Sequence, residues 1–291
     1  MRISRLKIAK QDIQSLFDKL PGKVLTRSEI DKILSQNRDF WRVSSSTTTN
    51  NFIDFLIEAT KLKLIKFKFP SRTVYRYVWG EAYLFEIIMS LRSNSFFTHY
   101  TAMYLHELTE QIPKTLYLNS EQLPKYSGDN NLSQERIDLA FKRPGRTSKN
   151  ITSYDGYKIC LLNGMYTGKL GVIEKIGPNG EKIFVTDIER TLIDIAVRPI
   201  YSGGVFEVLK AYKLARSKVS INKLSALLSK LNFKYPYFQA IGFYLDKAGV
   251  YKESQIDLIR QNDLKYDFYL THQMKDMEYS KKWRLYFPKG L

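Results

Sequence analysis

The chain has a single cysteine in 291 residues, Cys160, so no disulfide can form within it. The apolar run Lys158-Ile159-Cys160-Leu161-Leu162 fits a strand position in a reducing compartment. Long apolar runs are missing: nowhere do 18 apolar residues stand together, and the opening Met1-Arg2-Ile3-Ser4-Arg5-Leu6-Lys7 lacks the apolar stretch of a signal peptide. A soluble, cytoplasmic protein without a membrane partner is expected. Histidine is scarce, with 3 residues. His99 and His106 are seven apart, whereas ligands on neighbouring turns of a helix stand three or four apart, and no nearby cysteine completes a set, so no metal site is expected. Walker-type glycine loops and nucleophile elbows are also missing, and neither catalytic residues nor a cofactor are indicated.

Acidic residues are in deficit: 46 Lys and Arg face 29 Asp and Glu, a net charge of +17. Such a balance favours a polyanion as partner, although a Lys-rich solvated face gives the same count. The excess is unevenly placed. Residues 1–80 hold 16 basic and 7 acidic side chains, more than half of the total excess in little more than a quarter of the chain. With 44% hydrophobic residues, including 20 Tyr and 17 Phe, the chain can bury a sizeable core.

Ala9, Ile13, Leu16, Phe17 and Leu20 recur at steps of three and four, predicting a helix over residues 8–20 that Pro21-Gly22 ends. Thr26-Arg27-Ser28-Glu29 is a capping box opening a second helix through Ile30, Ile33 and Leu34 to near Asn37. The run from Arg42 to Asn51, rich in Ser and Thr, leads into Phe52, Ile53, Leu56 and Ile57 at helical spacing. It reads either as the polar entry of a recognition helix or as an ordinary N-cap cluster. Two alternating strands follow, residues 63–69 and 73–79, around Pro70-Ser71-Arg72. Lys66 and Lys68 fall opposite Phe67 and Phe69, and Arg76 falls opposite Tyr75, Tyr77 and Trp79. Three helices followed by a basic hairpin is the order of a winged helix-turn-helix, expected over residues 1–80. The residues expected on DNA are Ser46, Thr47, Thr48, Asn50 and Asn51 at the helix entry, and Lys66, Lys68, Arg72 and Arg76 in the wing.

Residues 81–291 read as a larger mixed α+β domain, making the whole an α+β protein. Helices are expected over residues 81–91 and from Thr98, and strands over 114–118, 157–162, 170–176 and 182–185. A short strand is expected over 137–141, with loops at Ser127-Gly128-Asp129-Asn130-Asn131 and Arg143-Pro144-Gly145-Arg146 on either side. Thr186-Asp187-Ile188-Glu189 reads as another capping box, opening a helix that stops before Pro199. Helical patterns recur over 205–215, 221–231, 237–248 and 253–261, and strands over 266–270 and 283–287 finish the chain.

The segment Thr98-His99-Tyr100-Thr101-Ala102-Met103-Tyr104-Leu105-His106-Glu107-Leu108-Thr109-Glu110-Gln111-Ile112-Pro113, together with Glu189-Arg190-Thr191-Leu192-Ile193-Asp194, resembles the AbiEi family of antitoxins from AbiE abortive-infection systems. The similarity covers nearly the whole chain. It implies an antitoxin and transcriptional autorepressor of a phage-defence operon. Its winged helix would bind inverted repeats in its own promoter, and its second domain would counter a nucleotidyltransferase-like toxin, directly or through the toxin's target. The alternative is a nuclease of a defence system targeted by the winged helix. Asp263-Leu264-Lys265 is the one triplet with a carboxylate two places before a lysine, and it lies at an apparent helix-to-strand junction near Asp257. The carboxylates Asp187, Glu189 and Asp194 are better explained by the preference of helix starts for acidic residues.

Overall fold

The computed structural model describes residues 5–124, 132–260 and 263–291. The expected loop at 127–131, the opening tetrapeptide and Gln261 lie outside them. The fold is mixed α+β, organised around three clusters of buried side chains.

The first cluster gathers α1 (Arg5–Ile8), α2 (Lys10–Asp18), the strand β1 (Val24–Leu25), α3 (Arg27–Asn37), α4 (Thr49–Ala59) and the base of a hairpin, β2 (Leu62–Lys68) and β3 (Thr73–Trp79). The helix expected over 8–20 is thus two helices broken at Ala9. The Thr26 box is formed: Glu29 N donates to Thr26 Oγ1 at 3.2 Å, and Thr26 N donates to the Glu29 carboxylate at 2.7 Å. Strand order is β1-β3-β2, all antiparallel. Trp79 holds this unit together. Its ring stands 4.7 Å from that of Phe17, its indole N–H donates to Asp18 at 2.6 Å, and Lys61 both pairs with Asp18 at 2.5 Å and lies over the ring.

The second cluster lies around a six-stranded mixed sheet. Its elements are α5 (Leu84–Met89), β4 (Phe96–Phe97), α6 (His99–Leu105), β5 (Thr115–Glu121), α7 (Gln134–Lys142), β6 (Ile151–Tyr154), β7 (Tyr157–Gly164), β8 (Val172–Ile176) and β9 (Lys182–Thr186), in sheet order β6-β7-β5-β4-β9-β8. Helix α7 corrects the expected strand over 137–141. Alternating Ile137, Leu139 and Phe141 suggested a strand, but Ser133 caps a helix in which Ile137 and Phe141, four apart, are buried and Leu139 faces solvent. Its apolar face packs on the third cluster, not on the sheet.

That third cluster joins α8 (Ile188–Val197), α9 (Val205–Leu214), α10 (Ile221–Leu231), α11 (Tyr237–Ala248) and α12 (Glu253–Arg260) to a small sheet of β10 (Phe268–Tyr269), β11 (Met277–Ser280) and β12 (Leu285–Pro288), ordered β10-β12-β11. Gly242 lets α11 approach the buried Trp283: a Cβ there would stand 2.1 Å from the indole ring. The capping box expected at Thr186 takes another form. Asp187 is the cap, accepting from Arg190 N at 2.7 Å, while Glu189 reaches across to accept from Ser220 N at 2.8 Å at the start of α10. Among the described residues no helix is long and apolar enough to cross a membrane.

Candidate nucleic-acid interface

The polar run before α4 serves first to build the helix. Thr48 accepts from Asn51 N at 3.2 Å and Asn51 Oδ1 accepts from Thr48 N at 3.2 Å, a reciprocal cap that engages both side chains. Ser46 and Ser44 pair through their hydroxyls at 2.7 Å, and Thr49 bonds to Asp31. Arg38, at the end of α3, donates to the carbonyls of Ser44 and Thr47 and fixes the turn between the two helices. Asn50 Oδ1 accepts from Arg27 Nε at 3.3 Å and Nη2 at 3.1 Å, which leaves the amide NH2 of Asn50 facing outward. Ser46, Thr48, Asn50 and Asn51 are exposed, and Thr47 is half-buried. The first turn of α4 carries no acidic side chain of its own, but the Asp31 carboxylate of α3 meets it at Thr49; farther along, Asp54 and Glu58 are exposed. Arg27, held at Asn50, places a cation at the same entry.

The hairpin register sorts the four expected wing cations. Lys66 opposes Tyr75 and Lys68 opposes Thr73, so both lie on the face shared with Leu64 and Tyr77. Both lysines are exposed. The hydroxyl of Tyr77 is pushed up by burial, with Arg27 pulling it down and Tyr75 and Asp54 pushing it up. Arg72 is exposed in the tight turn, where Phe69 N donates to the Arg72 carbonyl at 2.9 Å.

Arg76 stands apart. It opposes Ile65 on the other face, half-buried against α5, where Nε donates to the Ser90 carbonyl at 3.0 Å and hydroxyl at 3.1 Å, and Nη1 to the Tyr75 carbonyl at 2.7 Å. Burial pulls its guanidinium below the ordinary value, with Glu29 opposing and Arg72 adding to the effect. Arg76 therefore joins the hairpin to the rest of the chain, and the face it lies on is covered: Phe67, Phe69 and Val78 belong to the second cluster, with Phe67 5.2 Å from the Tyr154 ring. Arg27 and Arg38, which shape the entry of α4, had no distinguishing mark in the sequence because their partners are main-chain carbonyls and one amide oxygen.

The segments that carried the family resemblance are largely buried scaffold, with Glu107 and Glu110 to Ile112 exposed. Arg190 Nε pairs with Asp194 at 2.8 Å, both side chains nearly inaccessible, and Nη1 donates to the Leu170 carbonyl at 2.6 Å. Thr98 donates to the second oxygen of Asp194 at 3.0 Å, tying α6 to α8. Lys223 bridges Asp187 and Glu189, each at 2.9 Å. His99 is enclosed by Tyr117 and Tyr201, and burial pulls its imidazole from 6.5 to about 4, with Asp194 opposing and Arg198 and Arg190 adding to the effect. His106 caps the end of α6 and its Nε2 meets the Thr186 carbonyl at 2.6 Å, so the two histidines do not face one another as a pair. Asp257 pairs with Arg260 at 2.8 Å, and Asp263 with Lys265 at 3.7 Å. No group of three or more metal-binding side chains occurs among the described residues.

No family model matches the chain, and no curated protein matches it. Among solved structures, the Rv2827c protein from Mycobacterium tuberculosis is similar with a TM-score of 0.61 at 13% identity, over 98% of this chain and 92% of that one. At that identity the likeness is one of fold, and it extends across all three clusters: the chain shares the architecture of the mycobacterial protein nearly end to end.

Proposed function

We propose that the chain is a DNA-binding autorepressor and antitoxin of an AbiE-type defence operon. In this reading residues 1–80 act as a winged helix-turn-helix, and residues 81–291 form the part that counters a nucleotidyltransferase-like toxin, directly or through its target. The observation that carries it is the exposed polar entry of α4, with Arg27 held at Asn50, together with an exposed hairpin face bearing Lys66 and Lys68. A helix entry of this kind can present Ser46 and Asn50 to base edges and main-chain N–H groups to phosphate, while lysines on an adjacent hairpin contact the backbone without reading sequence. Arg72 at the hairpin tip is free to join them, and Arg76 serves to position the hairpin.

The test is binding of the full chain to duplex DNA from upstream of its own gene, against a scrambled duplex, over a range of salt. Tighter binding to the upstream duplex, weakening steeply as salt rises, is expected. Equal affinity for both sequences, or none for either, overturns the repressor reading. Magnesium-dependent cleavage of either duplex overturns the assignment as a binder. Co-expression with the neighbouring toxin gene should restore growth; failure to do so removes the antitoxin assignment while leaving DNA binding standing.

A further inference from the structure

Between the hairpin and the six-stranded sheet lies a cleft of 1180 Å³, slightly larger than the usual small-molecule site. Its walls come from five separated segments. Glu29, Arg72 and Arg76 line one side; Arg92, the end of β5 with Glu121, and the loop with Tyr166 and Lys169 line the other. A smaller hollow of 400 Å³ adjoins it at Arg72 and Arg92 and adds Lys149.

The charge of this cleft is not neutralised from within. Arg72, Arg76, Arg92 and Lys169 make no ion pair with a carboxylate among the described residues. Arg76 is held by Ser90, Arg92 by the Ser120 hydroxyl and the Leu162 carbonyl, and Lys169 by Asn94 Oδ1 at 3.3 Å. All these acceptors are neutral. The two carboxylates at the rim are committed elsewhere: Glu29 to its capping box, and Glu121 to the N–H groups of Thr167 at 3.0 Å and Lys169 at 3.1 Å. Arg72 makes no side-chain bond among the described residues, and its charge lowers the proton affinity of Arg76, after burial and the opposing effect of Glu29, and of Arg92, after burial. Four cations gathered in a concave wall, against the two carboxylates Glu29 and Glu121 that also line it, leave it net positive and suited to a multiply charged anion. Beside them the ring of Tyr166 is exposed, offering a flat apolar surface for an aromatic base.

We propose that this cleft binds a nucleoside di- or triphosphate, with its phosphates on Arg72, Arg92 and Lys169 and its base against Tyr166. Because the walls belong to both the hairpin unit and the sheet, an occupant fixes the one against the other. The site shares Arg72 with the proposed duplex interface but takes Arg92, Lys169 and Tyr166 from outside it, and the experiment contains no DNA.

The full chain is titrated calorimetrically with ATP, GTP, inorganic tripolyphosphate and adenosine. Saturable binding of a nucleoside triphosphate is expected, weaker by about tenfold or more in Arg72→Gln/Lys169→Gln and unchanged in Lys289→Gln, which removes an exposed lysine away from the cleft. Arg72 and Lys169 are exposed, and thermal melting confirms that the double variant is folded. Tripolyphosphate should bind the wild type more weakly than the nucleotide does, and Tyr166→Ala should abolish that difference. Absence of saturable nucleotide binding, an equal loss in Lys289→Gln, or equal affinity of the wild type for tripolyphosphate and nucleotide each refutes the assignment.

Discussion

The register of the hairpin divides the wing cations into two classes that respond differently to substitution. Lys66 and Lys68 are exposed on one face and form no ion pair among the described residues, so in the proposed DNA complex each is free to displace counterions. Each lysine–phosphate contact contributes about 0.9 to the slope of log affinity against log salt. Lys66→Gln/Lys68→Gln should therefore reduce that slope by about 1.8, and the fall in affinity between about 50 and 200 mM salt should shrink by roughly 12-fold relative to the wild type. Arg76→Gln should behave in the opposite manner. It breaks bonds from a charged donor to the Ser90 carbonyl in a half-buried joint, costing about 1–3 kcal/mol of stability, yet leaves the salt slope nearly as it was. The assay is fluorescence anisotropy of a labelled operator at several salt concentrations, paired with urea denaturation of each variant. A normal slope in the double lysine variant, or a reduced one in Arg76→Gln, refutes the division of roles.

Three further outcomes test the fold that carries the interface. Asp194→Ala strands the buried guanidinium of Arg190 and should destabilise the chain by about 3–5 kcal/mol, whereas Lys182→Ala, at an exposed ion pair with Glu174, should cost under about 1 kcal/mol; urea midpoints compare them. Folded His99 takes up its proton only near 4, while the unfolded chain does so near 6.5. Its contribution is therefore complete above pH 6.5 and is lost as pH falls toward 4, by about 3 kcal/mol in total. His106, also lowered chiefly by burial, adds in the same direction. Denaturation at pH 7.5 and pH 5 should show a smaller difference in His99→Asn than in the wild type, and an unchanged difference sinks the reasoning. Gly242→Ala gains about 1 kcal/mol of helix propensity but drives a methyl into the Trp283 ring, so a net loss of stability is expected in thermal melting.

Local chemistry was readable in the sequence, and long-range partnership was not. The Thr26 box, the alternation of β2 and β3 and the periodic helices α9 to α12 depend on residues close together, and their positions were legible within a residue or a few. The two-residue strands β1 and β4 exist because neighbours distant in sequence complete them, while β6 and β11 are short arms of hairpins with the strands that follow them. Ile137, Leu139 and Phe141 fit a strand as well as a helix until a partner surface is known, since burial of the first and last alone decides the period. Glu189 looked like a local cap and serves a helix 31 residues away. At the interface, the entry of α4 was legible as a polar run, while the division of labour within it was not: Thr48 and Asn51 cap the helix, and Asn50 is oriented by Arg27 from another helix. The basic cleft left no mark, because no two of its four cationic side chains come from within three residues of each other.

The hairpin belongs to two interiors at once: Leu62, Tyr77 and Trp79 lie in one, Phe67, Phe69 and Val78 in the other. A chain cut after Gly80 would lay three large apolar side chains of β2 and β3 and the half-buried Arg76 open to water, so such a fragment should be sticky as well as basic. The same arrangement makes the hairpin a mechanical link. A displacement of the six-stranded sheet against Phe67 moves the backbone that holds Lys66 and Lys68 on the opposite side, so a binding event on the sheet reaches those lysines through a single strand, one residue thick.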